Sequence, residues 1–146
     1  SSRKPPAAAA DDYEHELRRH FSRFASAEPV FDLIVLGVGE DGHTASIFPG
    51  DHSAEETTRW VTAVKGGTPY VARLTLTLPI LNRARRIIYL ISGSKKAVVV
   101  RSLLTDASAQ LPPQRIAPQR GEIIWLLDSE AAELLPQDLS RCIRKD

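Results

Sequence analysis

The chain has 146 residues, 42% of them hydrophobic and 25% charged, with a formal net charge of +1. That is enough sequence for a real core and an ordinary globular balance, and it gives no electrostatic reason to expect a nucleic acid or an anionic membrane as partner. No apolar run reaches the roughly 18 residues of a membrane-spanning helix. The N-terminus shows no signal-peptide pattern, and the single cysteine, Cys142, has no internal partner; a cytoplasmic protein is expected.

Residues 1–10, SSRKPPAAAA, read as a loop or an added remnant ahead of a single α/β domain over 11–146. Asp11 is the expected N-cap of a first helix, with Tyr13, Leu17, Phe21 and Phe24 on its packing face. Arg18, Arg19 and Arg23 then lie on its solvated side. Leu33-Ile34-Val35-Leu36 is a short unbroken apolar run, the pattern of a strand buried in a parallel sheet. It breaks into Gly37, Gly39 and Gly42, with Asp41 and His43 flanking the last glycine. Thr44 to Phe48 is expected to form a short helix before Pro49-Gly50 stops it. A strand, a glycine loop carrying an acid and an imidazole, and a helix form a site where ligands sit in open α/β sheets.

The spacing Gly37-x-Gly39-x-x-Gly42 is also the dinucleotide fingerprint. That fingerprint needs a full βαβ unit and an acidic residue about 20 positions on. Here the corresponding positions read Val61-Thr62-Ala63-Val64, and the helix is cut off at Pro49; dinucleotide binding is set aside.

Asp51 to Arg59 is polar and loop-like, and His52 there is read as a surface histidine because no ligand spacing accompanies it. Trp60 to Val64 is a candidate strand. Gly66-Gly67-Thr68-Pro69 imitates a phosphate loop but is read as a connection between extended segments. Arg73 to Leu78 alternates, placing Arg73, Thr75 and Thr77 on one face and three leucines on the other. Thr77 is a candidate cap for a helix through Leu81 to Arg85, with Pro79 in its first turn. Arg86 to Ile91 is a second buried strand, ending in Ser92-Gly93-Ser94-Lys95-Lys96 and a helix through Leu104. Cations at a helix start oppose its dipole, so a bound anion would offset their placement. After a loop from Pro112 to Arg120, Gly121 to Leu127 is a third strand and Glu130 to Leu135 a last helix capped by Asp128 or Ser129. The pattern is a layered α/β fold, a mostly parallel sheet flanked by helices.

The segment LGVGEDGHTASIFPG (residues 36–50) resembles the signature of the family that unites glucosamine-6-phosphate isomerase-deaminases with 6-phosphogluconolactonases. Asp41-Gly42-His43-Thr44-Ala45-Ser46 has the lactonase form, where the deaminases carry Asn-Gly-His. The resemblance runs on through Arg73 to Pro79, the Gly93-x-x-Lys96 turn and Gly121 to Ala132, from about Tyr13 onward. It lacks the family's N-terminal Gly-Gly-Ser-Thr-Pro-type loop and Asp-Glu-Arg segment, so a sheet incomplete at the N-terminus is expected.

The resemblance implies hydrolysis of 6-phospho-D-glucono-1,5-lactone in the pentose phosphate pathway. His43 is the expected general base, since imidazole titrates nearest neutrality among side chains. Asp41 is expected to orient it, and the Gly39 and Gly42 amides to hold substrate. Lys96 and Arg73 are expected to meet the phosphate, the Arg73 fork suiting it bidentately. No metal or cofactor is implied. The alternatives are a deaminase-type isomerase and a non-catalytic sugar-phosphate-binding module.

Overall fold

The computed structural model describes residues 4–24, 29–67 and 69–140; Cys142 lies outside them. The first helix, α1 (Pro6–Phe21), begins six residues earlier than a helix capped by Asp11 would. Pro6 occupies a first-turn position, where a missing N–H costs nothing, and the alanine run that follows is the strongest helix former available. Asp11 is therefore inside the helix and pairs with Arg59.

A three-stranded parallel sheet has the order β1 (Ile34–Leu36), β4 (Arg86–Ile91), β5 (Glu122–Leu127). Leu36 lies opposite Tyr89, and Tyr89 opposite Trp125. A separate antiparallel hairpin is made by β2 (Val61–Gly66) and β3 (Val71–Leu76), as the reading of residues 66–69 anticipated; Thr68 lies outside the described residues. The layered α/β architecture with a parallel sheet flanked by helices is thus observed.

One face of the parallel sheet carries Leu36, Ile87, Tyr89 and Ile91, which pack against Val99, Val100 and Leu103 of α3 (Ala97–Thr105). Leu78 and Leu81 of α2 (Leu78–Leu81) close the same core. The Tyr89 and Trp125 rings stack with centroids 4.2 Å apart, and burial pushes the Tyr89 phenol above its ordinary range. The other face exposes apolar side chains: Val35 is 56%, Leu90 60% and Leu126 47% accessible.

A second cluster joins Ala10, Leu17 and Phe21 of α1 to Trp60, Val61 and Ile80. Glu14 pins the helix there by accepting from the Trp60 and Val61 amides at 2.9 and 3.2 Å. Arg18 is not simply solvated; its guanidinium lies 4.1 Å from the Trp60 ring centre. Tyr13 and Phe24 are exposed, so the packing face is narrower than expected.

Three other expectations need correction. Thr44 to Phe48 is no helix: Thr44 and Ile47 form a tight antiparallel bridge, with Ala45 at a φ of 51°. Thr77 makes no side-chain cap on α2, and its hydroxyl instead donates to the Arg59 carbonyl at 2.6 Å. The last predicted helix is a run of turns over 129–134, with Asp128 accepting from the Ala131 amide; α4 (Gln137–Ser140) follows it.

Candidate active site

The loop after β1 folds back on itself at the carboxyl end of the sheet. Gly39 N–H donates to the His43 carbonyl at 2.8 Å, and Gly42 N–H to the Gly39 carbonyl at 3.0 Å. Both amides, expected to hold substrate, are bonded within the loop itself. The glycines serve space and geometry instead. A Cβ on Gly39 would fall on Nδ1 of His43 and Oδ1 of Asp41, and Gly42 adopts a φ of 86° that L side chains rarely tolerate. Beneath the loop, fully buried Thr44 donates its hydroxyl to the Gly37 carbonyl at 2.8 Å.

Asp41 Oδ1 accepts from the His43 backbone N–H at 3.1 Å and meets His43 Nδ1 at 2.6 Å. Burial acts to raise the Asp41 carboxyl, but the hydrogen bonds from His43 outweigh it and hold the group below its ordinary 3.8. An ionised carboxylate only accepts, so Nδ1 carries the proton and the neutral ring leaves Nε2 as its basic nitrogen. The His43 side chain is 33% accessible, open enough to reach a bound molecule.

Lys96 approaches from the other side of the loop. Its Nζ donates to the Val38 carbonyl at 2.8 Å, across 58 residues of sequence. His43, Gly37, Ala45 and Lys96 thereby line one cleft of about 370 Å³. Two amides of the turn ahead of α3 already have protein partners. The Gly93 amide is taken by the Asp128 carboxylate at 2.9 Å and the Ser94 amide by Glu130 at 3.3 Å. The protein's own carboxylates thus occupy these amides, while Lys96 Nζ is held at the Val38 carbonyl. No local pattern announces this, because the acids come from the far end of β5.

Arg73 lies on the hairpin, half-buried, with Nε donating to the Gly66 carbonyl at 3.2 Å. The hairpin is tied to the glycine loop by the Ser46 N–H, which donates to Thr75 Oγ1 at 3.2 Å. Near both Arg73 and His43 lies Phe48, a residue the sequence reading did not single out. Its ring centre is 4.7 Å from the imidazole centre and 6.0 Å from the Arg73 guanidinium carbon. An aromatic just after a histidine loop was the available signal. His52 is exposed and stands apart as a surface histidine; among the described residues no three His, Cys, Asp or Glu gather as a metal site.

Residues 1–125 match the family model described as glucosamine-6-phosphate isomerases/6-phosphogluconolactonase. A 6-phosphogluconolactonase of Rattus norvegicus is 42% identical over 132 residues, covering 90% of this chain and 51% of the relative. One from Synechocystis is 42% identical over 138 residues, covering 89% and 56%. Among solved structures, a devB protein superposes with a TM-score of 0.79 at 34% identity, over 91% of this chain and 56% of the other. The 6-phosphogluconolactonase of Trypanosoma brucei gives 0.75 at 32%, over 92% and 57%. The chain spans about half the length of the curated relatives it matches. It belongs to the glucosamine-6-phosphate isomerase/6-phosphogluconolactonase family.

Proposed function

We propose that this site hydrolyses 6-phospho-D-glucono-1,5-lactone to 6-phosphogluconate, with His43 as general base. The observation that carries the reading is the 2.6 Å contact between Asp41 and His43 Nδ1, which sets the tautomer that base catalysis needs. Nε2 removes a proton from water as the oxygen attacks the lactone carbonyl. The tetrahedral adduct collapses, the bond from the carbonyl carbon to the ring oxygen breaks, and the imidazolium returns the proton to that oxygen. Water is consumed, and a carboxylic acid and a hydroxyl are formed. The carboxylate of Asp41 stabilises the transient imidazolium.

Lys96 and Arg73 supply cations for the phosphate. Lys96 does so as a point charge in the cleft, Arg73 as a fork on the hairpin. The curated relatives bear the lactonase name, and the Asp41-Gly42-His43-Thr44 loop has the lactonase form, which together favour this reaction over deamination. A cytoplasmic setting, with a sugar phosphate lactone as partner and neither nucleic acid nor membrane, completes the proposal.

Two substrates test it. With 6-phosphogluconolactone the protein should release one proton per turnover above the spontaneous rate. With glucosamine 6-phosphate it should release no ammonium. Ammonium release would establish the isomerase-deaminase reading, and lactone binding without turnover would establish a binding module.

A further inference from the structure

The His43 imidazole is held at Nδ1 by Asp41, but a single hydrogen bond leaves rotation about it open. What meets the face of the ring is Phe48, tilted 38° to it with centres 4.7 Å apart. Phe48 is itself fixed. Its carbonyl accepts from the Asp51 amide at 3.1 Å, and the hairpin wraps its ring so closely that a Cβ on Gly66 would come within 2.8 Å of it. The same Gly66 accepts from Arg73 Nε through its carbonyl, and the Arg73 guanidinium carbon lies 6.0 Å from the Phe48 ring centre. One aromatic ring therefore neighbours both the imidazole and the hairpin cation, on a residue with no reactive group.

We propose that Phe48 is a positioning residue that registers the His43 ring against the Arg73 guanidinium, so that proton transfer and phosphate binding are set by a single wedge. This rests on the lactonase reading for its catalytic consequence, while the wedge itself is a statement about geometry. Gly66 is part of the device, since any side chain there would drive the wedge out.

The test uses Phe48→Leu, which keeps apolar bulk and loses the ring face, Phe48→Tyr, which keeps the face, and Gly66→Ala, which keeps Phe48 and displaces it. The first readout is the His43 carbon-bound proton resonances, which Phe48 shifts by its ring current whether or not the protein turns over. Phe48→Leu and Gly66→Ala should move them, and Phe48→Tyr should leave them near the native positions. The second readout is lactone hydrolysis. Phe48→Leu should lower kcat by roughly 10- to 100-fold, the scale of a misplaced catalytic group, and raise KM several-fold as Arg73 loses its backing, with Phe48→Tyr within about twofold of native on both. Native-like melting of Phe48→Leu with unmoved His43 resonances overturns the proposal. So does a Phe48→Leu enzyme with native kcat and KM. If His43 resonances respond as expected but His43→Ala still hydrolyses the lactone, the lactonase mechanism fails and the wedge stands.

Discussion

Replacing Gly39 by alanine should dismantle the acid–imidazole pair without touching either partner. Gly39 is not among the residues with positive φ, so its backbone accepts an L side chain. The added methyl, however, would lie inside 3.0 Å of both His43 Nδ1 and Asp41 Oδ1, a separation that real Cβ atoms do not show. Both side chains lie partly in solvent and can swing away, so the fold survives and the 2.6 Å contact does not. A hydrogen bond to a charged group contributes about 1.5–3 kcal/mol. If that interaction orients the base in the transition state, its loss lowers kcat by roughly 10- to 150-fold at about 1.4 kcal/mol per decade. The assay is proton release from the lactone at neutral pH, with the melting temperature taken on the same samples. The contrast is Gly37→Ala, whose Cβ would meet nothing within 4 Å and should leave the His43 resonances in place. A Gly39→Ala protein with native kcat would refute the claim that the pair sets the base.

Three further outcomes follow from the geometry. Thr44→Val keeps the buried shape but orphans the Gly37 carbonyl, which should cost about 1–3 kcal/mol and lower Tm by roughly 3–10 °C; an unchanged melt would contradict it. Lys96→Met removes the cation from the cleft and should raise KM for the lactone about tenfold, the loss of one charge-assisted contact, with kcat little changed. Glu56 accepts from the Arg59 and Thr58 amides and the Thr58 hydroxyl, which hold its carboxyl down from 4.5 to about 2. Its folded value is depressed, so its contribution is complete above pH 4.5 and is lost as pH falls from 4.5 toward about 2. Glu56→Gln should therefore flatten the acid limb of a melting-temperature profile in that window, and an identical limb would remove Glu56 from the account.

The three strands of the parallel sheet were legible because each is a continuous apolar run bounded by polar or glycine residues, although the structure buries only one face of that sheet and leaves Val35, Leu90 and Leu126 exposed on the other. The hairpin was legible from its alternation, but alternation does not say which polar residues are buried. Thr75 and Thr77 are buried, because Thr75 receives the Ser46 amide and Thr77 reaches Arg59, and partners distant in sequence make a polar side chain cheap to bury. The start of α1 was missed because Pro5-Pro6 reads as a break, whereas proline in a first turn opens a helix. In the site, His43 meets Asp41 and lines one cleft with Lys96, residues that the family resemblance had singled out. What could not be read was competition for donors. Whether Gly39, Gly42, Gly93 and Ser94 amides face a ligand or a protein oxygen depends on where the chain returns. Here it returns with His43, Asp128 and Glu130.

The most direct measurement is the rate of lactone hydrolysis by the native protein and by His43→Ala at neutral pH, each corrected for the spontaneous reaction. The account predicts catalysed turnover that falls by at least about 100-fold in the variant, the contribution of a positioned general base. Equal rates for the two proteins would contradict it.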